Sequence, residues 1–307
     1  MKPDHLKGNK VKPIFALGLS GLLALAAPAR AAEPWEQAVA TEIGKPGTEM
    51  PGGVYRIGLP RSDLKVVLDG VTLKPALALG SWLAFVPHGA GQAMVMGDLV
   101  LTDTEVNSVM AKLIAGGIEI TALHNHLLRN TPHTMYMHIA GHGDPAQLAK
   151  TLHDALALSG TPLSAPPSTA PAAPETLDLD TAALDSILGH KGKVGGGVYA
   201  FGIPRAEAPR DGGMPLPPAM GAAIAINFQP TGGDKAAITG DFVLAASEVN
   251  PVLRALRENG IEVTALHNHM LDDEPRLFFM HFWANDDARK LARGLAAALQ
   301  HVAIAAN

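Results

Sequence analysis

The pattern of apolar and polar positions changes period along the chain, and the same succession occurs twice. Val106, Val109, Met110, Leu113 and Ile114 fall at i, i+3, i+4, i+7 and i+8, the apolar stripe of an amphipathic helix over 103–115. Thr102 and Glu105 have capping-box spacing at its start, and Gly116-Gly117 stops it. Alternating runs at Tyr55–Leu59, Leu64–Leu68, Trp82–Val86 and Ala93–Leu101 predict strands before that helix, and a short helix at Trp35–Ile43 precedes them. Further strands are predicted at Ile118–Leu127 and His133–Ala140. A last helix opens at Pro145 behind the cap residue Asp144. The order is strands followed by β-α-β-β-α, which predicts an α+β unit: an antiparallel or mixed sheet with helices packed on one face.

The second half repeats this order at a period of about 143 residues. Gly117–His126 reads Gly-Ile-Glu-Ile-Thr-Ala-Leu-His-Asn-His, and Gly260–His269 differs only at Val263. Gly97-Asp98 answers Gly240-Asp241, Glu105-Val106-Asn107 answers Glu248-Val249-Asn250, and Met137-His138 answers Met280-His281. Gly52–Tyr55 answers Gly196–Tyr199, and Pro60-Arg61 answers Pro204-Arg205. Residues 33–158 and 176–307 are therefore expected to be homologous repeats that pack as a pseudo-twofold pair, joined by a Pro-, Ala- and Ser-rich linker at 159–175. Such a pair is expected to carry two similar sites, or one site and one degraded copy, with the intact site in the first repeat, which has the extra His133 and His142.

Composition narrows the function. A net charge of −5 with no basic stripe argues against a nucleic-acid partner. Residues 1–32 read as a cleavable signal peptide: Lys2, Lys7, Lys10 and Lys12, then an apolar run from Ile14 to Ala27, then Ala29-Arg30-Ala31. The run is shorter than a bilayer span requires; an uncleaved anchor is the alternative reading. A periplasmic or secreted protein with no membrane span after cleavage is expected. The chain has no cysteine, so it offers no disulfide, no thiolate ligand and no site for a cysteine-linked lipid.

The candidate chemistry is histidine. On a regular strand His124 and His126 point the same way, roughly 7 Å apart at Cα, on the face that also carries Ile118, Ile120 and Ala122. His138 lies on the next strand, and His267, His269 and His281 repeat the set. Paired imidazoles at this spacing suit Zn or Cu, with Glu105 or Glu248 as a carboxylate ligand or a general base. Three readings stay open: a metal or small-ligand binding protein, a metal-assisted hydrolase, and a structural histidine network without metal. Acid–base chemistry without metal is a further use of the same residues. The methionines Met94, Met96, Met135 and Met137 invite a copper site, but core packing is the better reading of them. Gly141-His142-Gly143-Asp144, ahead of a helix, reads as an ordinary turn and cap rather than an anion site. There is no nucleophile elbow, P-loop or His-Glu-x-x-His helix.

The runs Gly97–Leu101, Glu105-Val106-Asn107, Thr121–His126 and Met137-His138, with their second copies, resemble the LppY/LpqO family. So does Arg61–Val66 followed by Asp69-Gly70-Val71. The resemblance covers almost all of the chain after residue 32. It implies an exported bacterial protein in a family of uncharacterised function, and carries over no catalytic residue. The family's names point to lipoproteins, a feature this cysteine-free chain does not share.

Overall fold

The structure is a computed structural model that describes residue 1 and residues 32–164 and 175–306. The expected signal peptide and most of the expected linker lie outside the described residues. The described residues from Glu33 onward form one compact body. No helix among the described residues is long and apolar enough to cross a membrane.

In the first repeat, α1 (Pro34–Ile43) leads into β1 (Thr48–Met50) and β2 (Val54–Pro60). A short hairpin, β3 (Val67–Leu68) and β4 (Val71–Thr72), and the single turn α2 (Pro75–Ala78) follow. Then come β5 (Gly80–Pro87), β6 (Ala93–Thr102), α3 (Asp103–Ala115), β7 (Glu119–His124), β8 (Thr134–Gly143) and α4 (Pro145–Leu156). The second repeat runs α5 (Thr181–Leu188), β9 (Lys193–Gly195), β10 (Val198–Pro204), β11 (Arg210–Asp211), β12 (Met214–Pro215), β13 (Ala223–Gly232) and β14 (Lys235–Ala245). It closes with α6 (Ala246–Glu258), β15 (Glu262–His267), β16 (Asp273–Glu274), β17 (Leu277–Asp287) and α7 (Ala288–Leu299). The main sheets have matching orders, β1-β2-β5-β6-β8-β7 and β9-β10-β13-β14-β17-β15, with every pair antiparallel. The α+β class and the repeat are as the sequence pattern predicts.

Each sheet uses both faces. In the first repeat, Leu83 and Phe85 on β5, Val95 and Leu99 on β6, and Met137 and Ile139 on β8 meet Val39, Val109, Leu113 and Leu152 of the helices. The opposite faces of the two sheets turn toward each other. Leu68, Leu77, Val100, Leu127 and Tyr136 of the first repeat form one cluster with Val198, Ala237 and Trp283 of the second. Met94 and Met96 of the first repeat are buried in the second repeat's core. This explains why β6 is buried along nearly its whole length and shows no clean alternation.

The segment predicted as a strand at Leu64–Leu68 is paired only at Val67–Leu68. With α2 it forms an arm that docks on the second repeat. Gln229 accepts from the Lys74 N–H at 2.8 Å and donates to the Thr72 carbonyl at 2.9 Å, and Asn227 donates to the Leu77 carbonyl at 3.2 Å. The linker also begins later than its composition suggests. The Gly160 N–H donates to Glu105 at 2.7 Å, and Leu163 packs on the first repeat's core.

The histidine strands depart from simple alternation. Ile120 pairs with Ile139, but the next pairs are Ala122 with His138 and His124 with Tyr136, so Thr121 is an extra residue. Thr264 is the matching extra residue in β15, between Val263–Phe282 and Ala265–His281. A one-residue bulge exchanges the faces of everything beyond it. Ile118 and Ile120 pack under the helices, while Ala122 and His124 turn to the seam between the sheets. The expectation that the histidines continue the Ile118–Ile120 face is thereby corrected.

Candidate metal centre

The bulges bring the two histidine strands together. The Asn125 amide donates to the Thr264 carbonyl at 3.1 Å, and Asn268 donates reciprocally to Thr121 at 3.2 Å. The Thr264 hydroxyl donates to the His126 carbonyl at 2.6 Å. Reciprocal contacts of this kind are those of a pseudo-twofold pair. Their effect is to put His124, His126, His138, His267, His269 and His281 into one cluster rather than two sites. The His124 and His267 rings stack with centroids 3.4 Å apart, His126 with His281 at 3.6 Å, and His138 with His269 at 3.6 Å. Tyr136 covers the outer face of His126 at 3.4 Å, and Phe279 covers His269 at the same distance.

The donor atoms fall into two overlapping groups, each with its nitrogens within 4.8 Å of one another. One is His124, His126 and His138; the other is His267, His269 and His281 with His124. All six Nε2 atoms are buried and have no hydrogen-bond partner among the described residues. Three tautomers are fixed from behind. Nδ1–H donates to the Asn125 carbonyl from His124 at 3.2 Å, to Asn268 from His267 at 2.9 Å, and to Gly240 from His281 at 2.8 Å. That leaves the Nε2 lone pair pointing away, the arrangement a metal-ligating imidazole uses.

Electrostatics keep the rings neutral. Burial, helped by the neighbouring His267, pushes His124 down to about 3. Burial, opposed by the hydrogen bond to the Asn268 carbonyl, takes His267 to about 4. His126, His138, His269 and His281 are held well below the ordinary histidine value, first by burial and then by the other rings. A neutral imidazole is a ligand; an imidazolium is not.

Two residues that the sequence analysis treated only as markers of the repeat complete the cluster. Asp98 on β6 and Asp241 on β14 sit at equivalent registers, opposite His138 and His281. His126 Nε2 is 3.8 Å from Asp98 and His138 Nε2 is 4.0 Å from it; His269 Nε2 is 3.5 Å from Asp241. Each aspartate has a buried Oδ1 without a hydrogen-bond partner among the described residues. Burial pushes Asp98 up to about 8 against the pull of Arg56, and raises Asp241 well above its ordinary value. A cation placed among these groups would remove that penalty, because a buried carboxylate is tolerated when it is paired or bound to metal.

The glycine before each aspartate has a reason. A Cβ at Gly97 would lie 2.8 Å from the Trp82 carbonyl oxygen, and one at Gly240 would collide with the Ala225 carbonyl. The neighbouring strand backbone occupies that space, so only glycine fits. We expect Gly240→Ala to cost about 1–3 kcal/mol through overpacking, measured by chemical denaturation. An unchanged unfolding midpoint would contradict this packing.

Glu105 and Glu248, expected as ligands or general bases, are placed elsewhere. Glu105 takes a fork from Arg61 at 2.8 and 3.0 Å and the N–H groups of Thr102 and Gly160. Glu248 takes Arg205 at 2.7 and 3.3 Å and the N–H groups of Ala245 and Ala303. Their repetition in sequence reflects a repeated ion pair beneath the helix start. Ala245 has no side-chain oxygen, so in the second repeat only the glutamate half of the capping box remains. His133 is exposed and bonded to Asp103 at 2.8 Å, and His142 is exposed with its ring 6.3 Å from His88. Neither joins the cluster, and the expectation that they mark the first repeat as the better site fails with them. Met137 points into the helix-side core rather than the seam, so the centre offers nitrogen and oxygen donors only.

Fold and site together define a duplicated α+β protein with one histidine–aspartate centre built jointly by its halves. The chain belongs to the family described as Domain of Unknown Function (DUF1259), which matches residues 37–158 and 182–301, one copy per repeat. No curated protein matches it. A trimeric bacterial microcompartment shell protein, PduB, matches at 13% identity over 80% of this chain and 86% of its own, with a TM-score of 0.18. EtuB from Clostridium kluyveri matches at 10% identity over 83% of this chain and 88% of its own, with a TM-score of 0.20. At such low superposition scores these likenesses carry nothing about this chain's assembly or partners.

Proposed function

We propose that this is an exported metal-binding protein that holds zinc, or another imidazole-preferring divalent ion such as copper(II), between its two repeats. The observation that carries the reading is the set of buried Nε2 atoms without partners, three of them with tautomers fixed by backbone carbonyls. A purely structural network would spend those nitrogens on hydrogen bonds, since burying them unpaired is costly. An all-nitrogen-and-oxygen donor set suits zinc, copper(II) and iron(II) better than copper(I). Export rests on the N-terminal basic, apolar and small-residue pattern and on the resemblance to the LppY/LpqO family. The hydrolase alternative loses its expected general base, because Glu105 and Glu248 are both committed to arginines.

The test is elemental analysis of the purified protein with zinc and copper(II) titrations. We expect stoichiometric metal in the native chain. The paired substitution His124→Ala with His267→Ala should abolish it, because His124 belongs to both donor groups and His267 is its counterpart. A native chain that takes up neither ion with better than millimolar affinity would end this reading.

A further inference from the structure

The two repeats agree in every histidine and aspartate of the centre, yet they disagree sharply on the wall above it. A cavity of about 360 Å³ lies over the centre, with Asp98, Asp241, His126, His138, His269 and His281 among its lining residues. Among the described residues the only cationic one in its lining is Arg56 on β2, whose guanidinium lies 4.2 Å over the Trp82 ring on β5. Register assigns their counterparts. Tyr55 pairs with Phe85 and Tyr199 with Phe228, which makes Ala200 the equivalent of Arg56 and Ala225 the equivalent of Trp82. A stacked arginine and tryptophan on one side thus face two alanines on the other.

Arg56 is half-buried and donates through one terminal nitrogen to the Ala219 carbonyl at 2.6 Å. No carboxylate lies within ion-pair distance of it among the described residues. By contrast Arg61, a few residues along the chain, is fully spent on Asp63, Glu105 and the Val100 carbonyl. Arg56 therefore keeps most of its planar fork of donors beside the cavity, with the Trp82 ring 4.2 Å beneath it. Asp98, which shares the cavity lining, acts on Arg56 through space but forms no ion pair with it, so the remaining guanidinium donors stay unpaired.

We propose that this cavity binds a small organic acid, its carboxylate on the Arg56 guanidinium and its remaining atoms directed toward the histidine–aspartate centre. A single planar carboxylate matches both the remaining fork and the single positive charge. A dianion such as phosphate would bring a second negative charge beside Asp98 and Asp241 that no second cationic side chain in the described cavity lining offsets. The volume is at the small end of the range for ligand pockets, so the acid is a small metabolite rather than a polymer. The one-sided placement of Arg56 also fixes the ligand's direction within an otherwise duplicated site. The orientation toward the centre rests on the metal reading above; the Arg56–carboxylate contact does not.

The experiment is calorimetric titration of the full chain, zinc-loaded and zinc-free, with acetate, lactate, succinate and benzoate, and with inorganic phosphate as contrast. We expect at least one carboxylate to bind once per chain, and phosphate not to compete. Arg56→Met should weaken that binding roughly tenfold to a hundredfold, the loss of charge-assisted hydrogen bonds, while zinc content stays unchanged. Arg56→Lys should bind with intermediate strength and guards against a folding defect in the methionine variant. Absence of binding by every carboxylate, or equal binding by wild type and both variants, would overturn the proposal. Tight phosphate binding would overturn the carboxylate assignment. Failure of zinc uptake with Arg56-dependent carboxylate binding intact would overturn the metal reading and leave this contact standing.

Discussion

On the metal reading proposed above, a chelator should lower the melting temperature of the protein by an amount on the order of 10 °C. The size follows from linkage. An ion present at a thousand times its dissociation constant adds about 4 kcal/mol to the folded state. For a chain of this length each kcal/mol moves the midpoint by roughly 2–4 °C. The effect should be global because the donors come from both sheets: His124, His126 and His138 from β7, its loop and β8, and His267, His269 and His281 from the matching places. Calorimetry with and without EDTA, followed by zinc addition, measures it. A transition that ignores the chelator and zinc would favour a structural histidine network instead. In that case His126→Ala would cost only the roughly 1–3 kcal/mol of a lost buried contact.

Arg61→Ala should be the most damaging single substitution outside the centre, at about 3–5 kcal/mol, the usual consequence of stranding a buried charge. The Arg61 side chain is fully buried and that of Glu105 is 14% exposed, so water cannot replace the lost fork. Five hydrogen bonds leave with the guanidinium, against three for Arg205, so Arg205→Ala should cost less. The same pair sets an acid response. Burial by itself pushes the Glu105 carboxyl up, but Arg61 with the Thr102 and Gly160 N–H groups holds it below its ordinary value, and Glu248 behaves likewise. A depressed carboxylate contributes its stability above its unfolded value of about 4.3 and loses it as pH falls through the folded value. Urea denaturation between pH 7 and pH 3 should show that acid-side loss in the native chain and a shallower slope in Arg61→Ala. A cost below about 1 kcal/mol, the level of an exposed pair, would refute the buried-pair account.

The helices were legible because their signals are local. The stripe from Val106 to Ile114 and the Asp144-Pro145 start fix α3 and α4 from within a few residues. The repeat was legible because the two copies of Thr-Ala-Leu-His-Asn-His can be compared directly. The face of that strand was not, because counting by twos assumes no bulge. Thr121 and Thr264 break the count through a pairing that involves β8 and β17. Each histidine triad lies together, with His124 shared by both donor groups. Their fusion into one cluster depends on how the sheets dock, a long-range fact with no local signature. Asp98 and Asp241 stood in the sequence as repeated Gly-Asp pairs, and a strand position with a repeated acid next to a histidine strand was the available signal. Glu105 and Glu248 misled because a helix-start glutamate and a site glutamate look alike until the partners Arg61 and Arg205 are seen.

The disparity between Arg56–Trp82 and Ala200–Ala225 separates this chain from any true homodimer of its half. Two identical subunits meeting on an exact twofold must present every side chain at the interface in duplicate. Such a dimer would carry two opposing guanidinium groups over its centre, or none, and could not tell one end of a ligand from the other. Tandem fusion removes that obligation: the histidines and aspartates of the centre can stay in matched copies while the ceiling diverges. The molecule is thus a dimer in geometry and a monomer in information, free to treat its left and right sides differently.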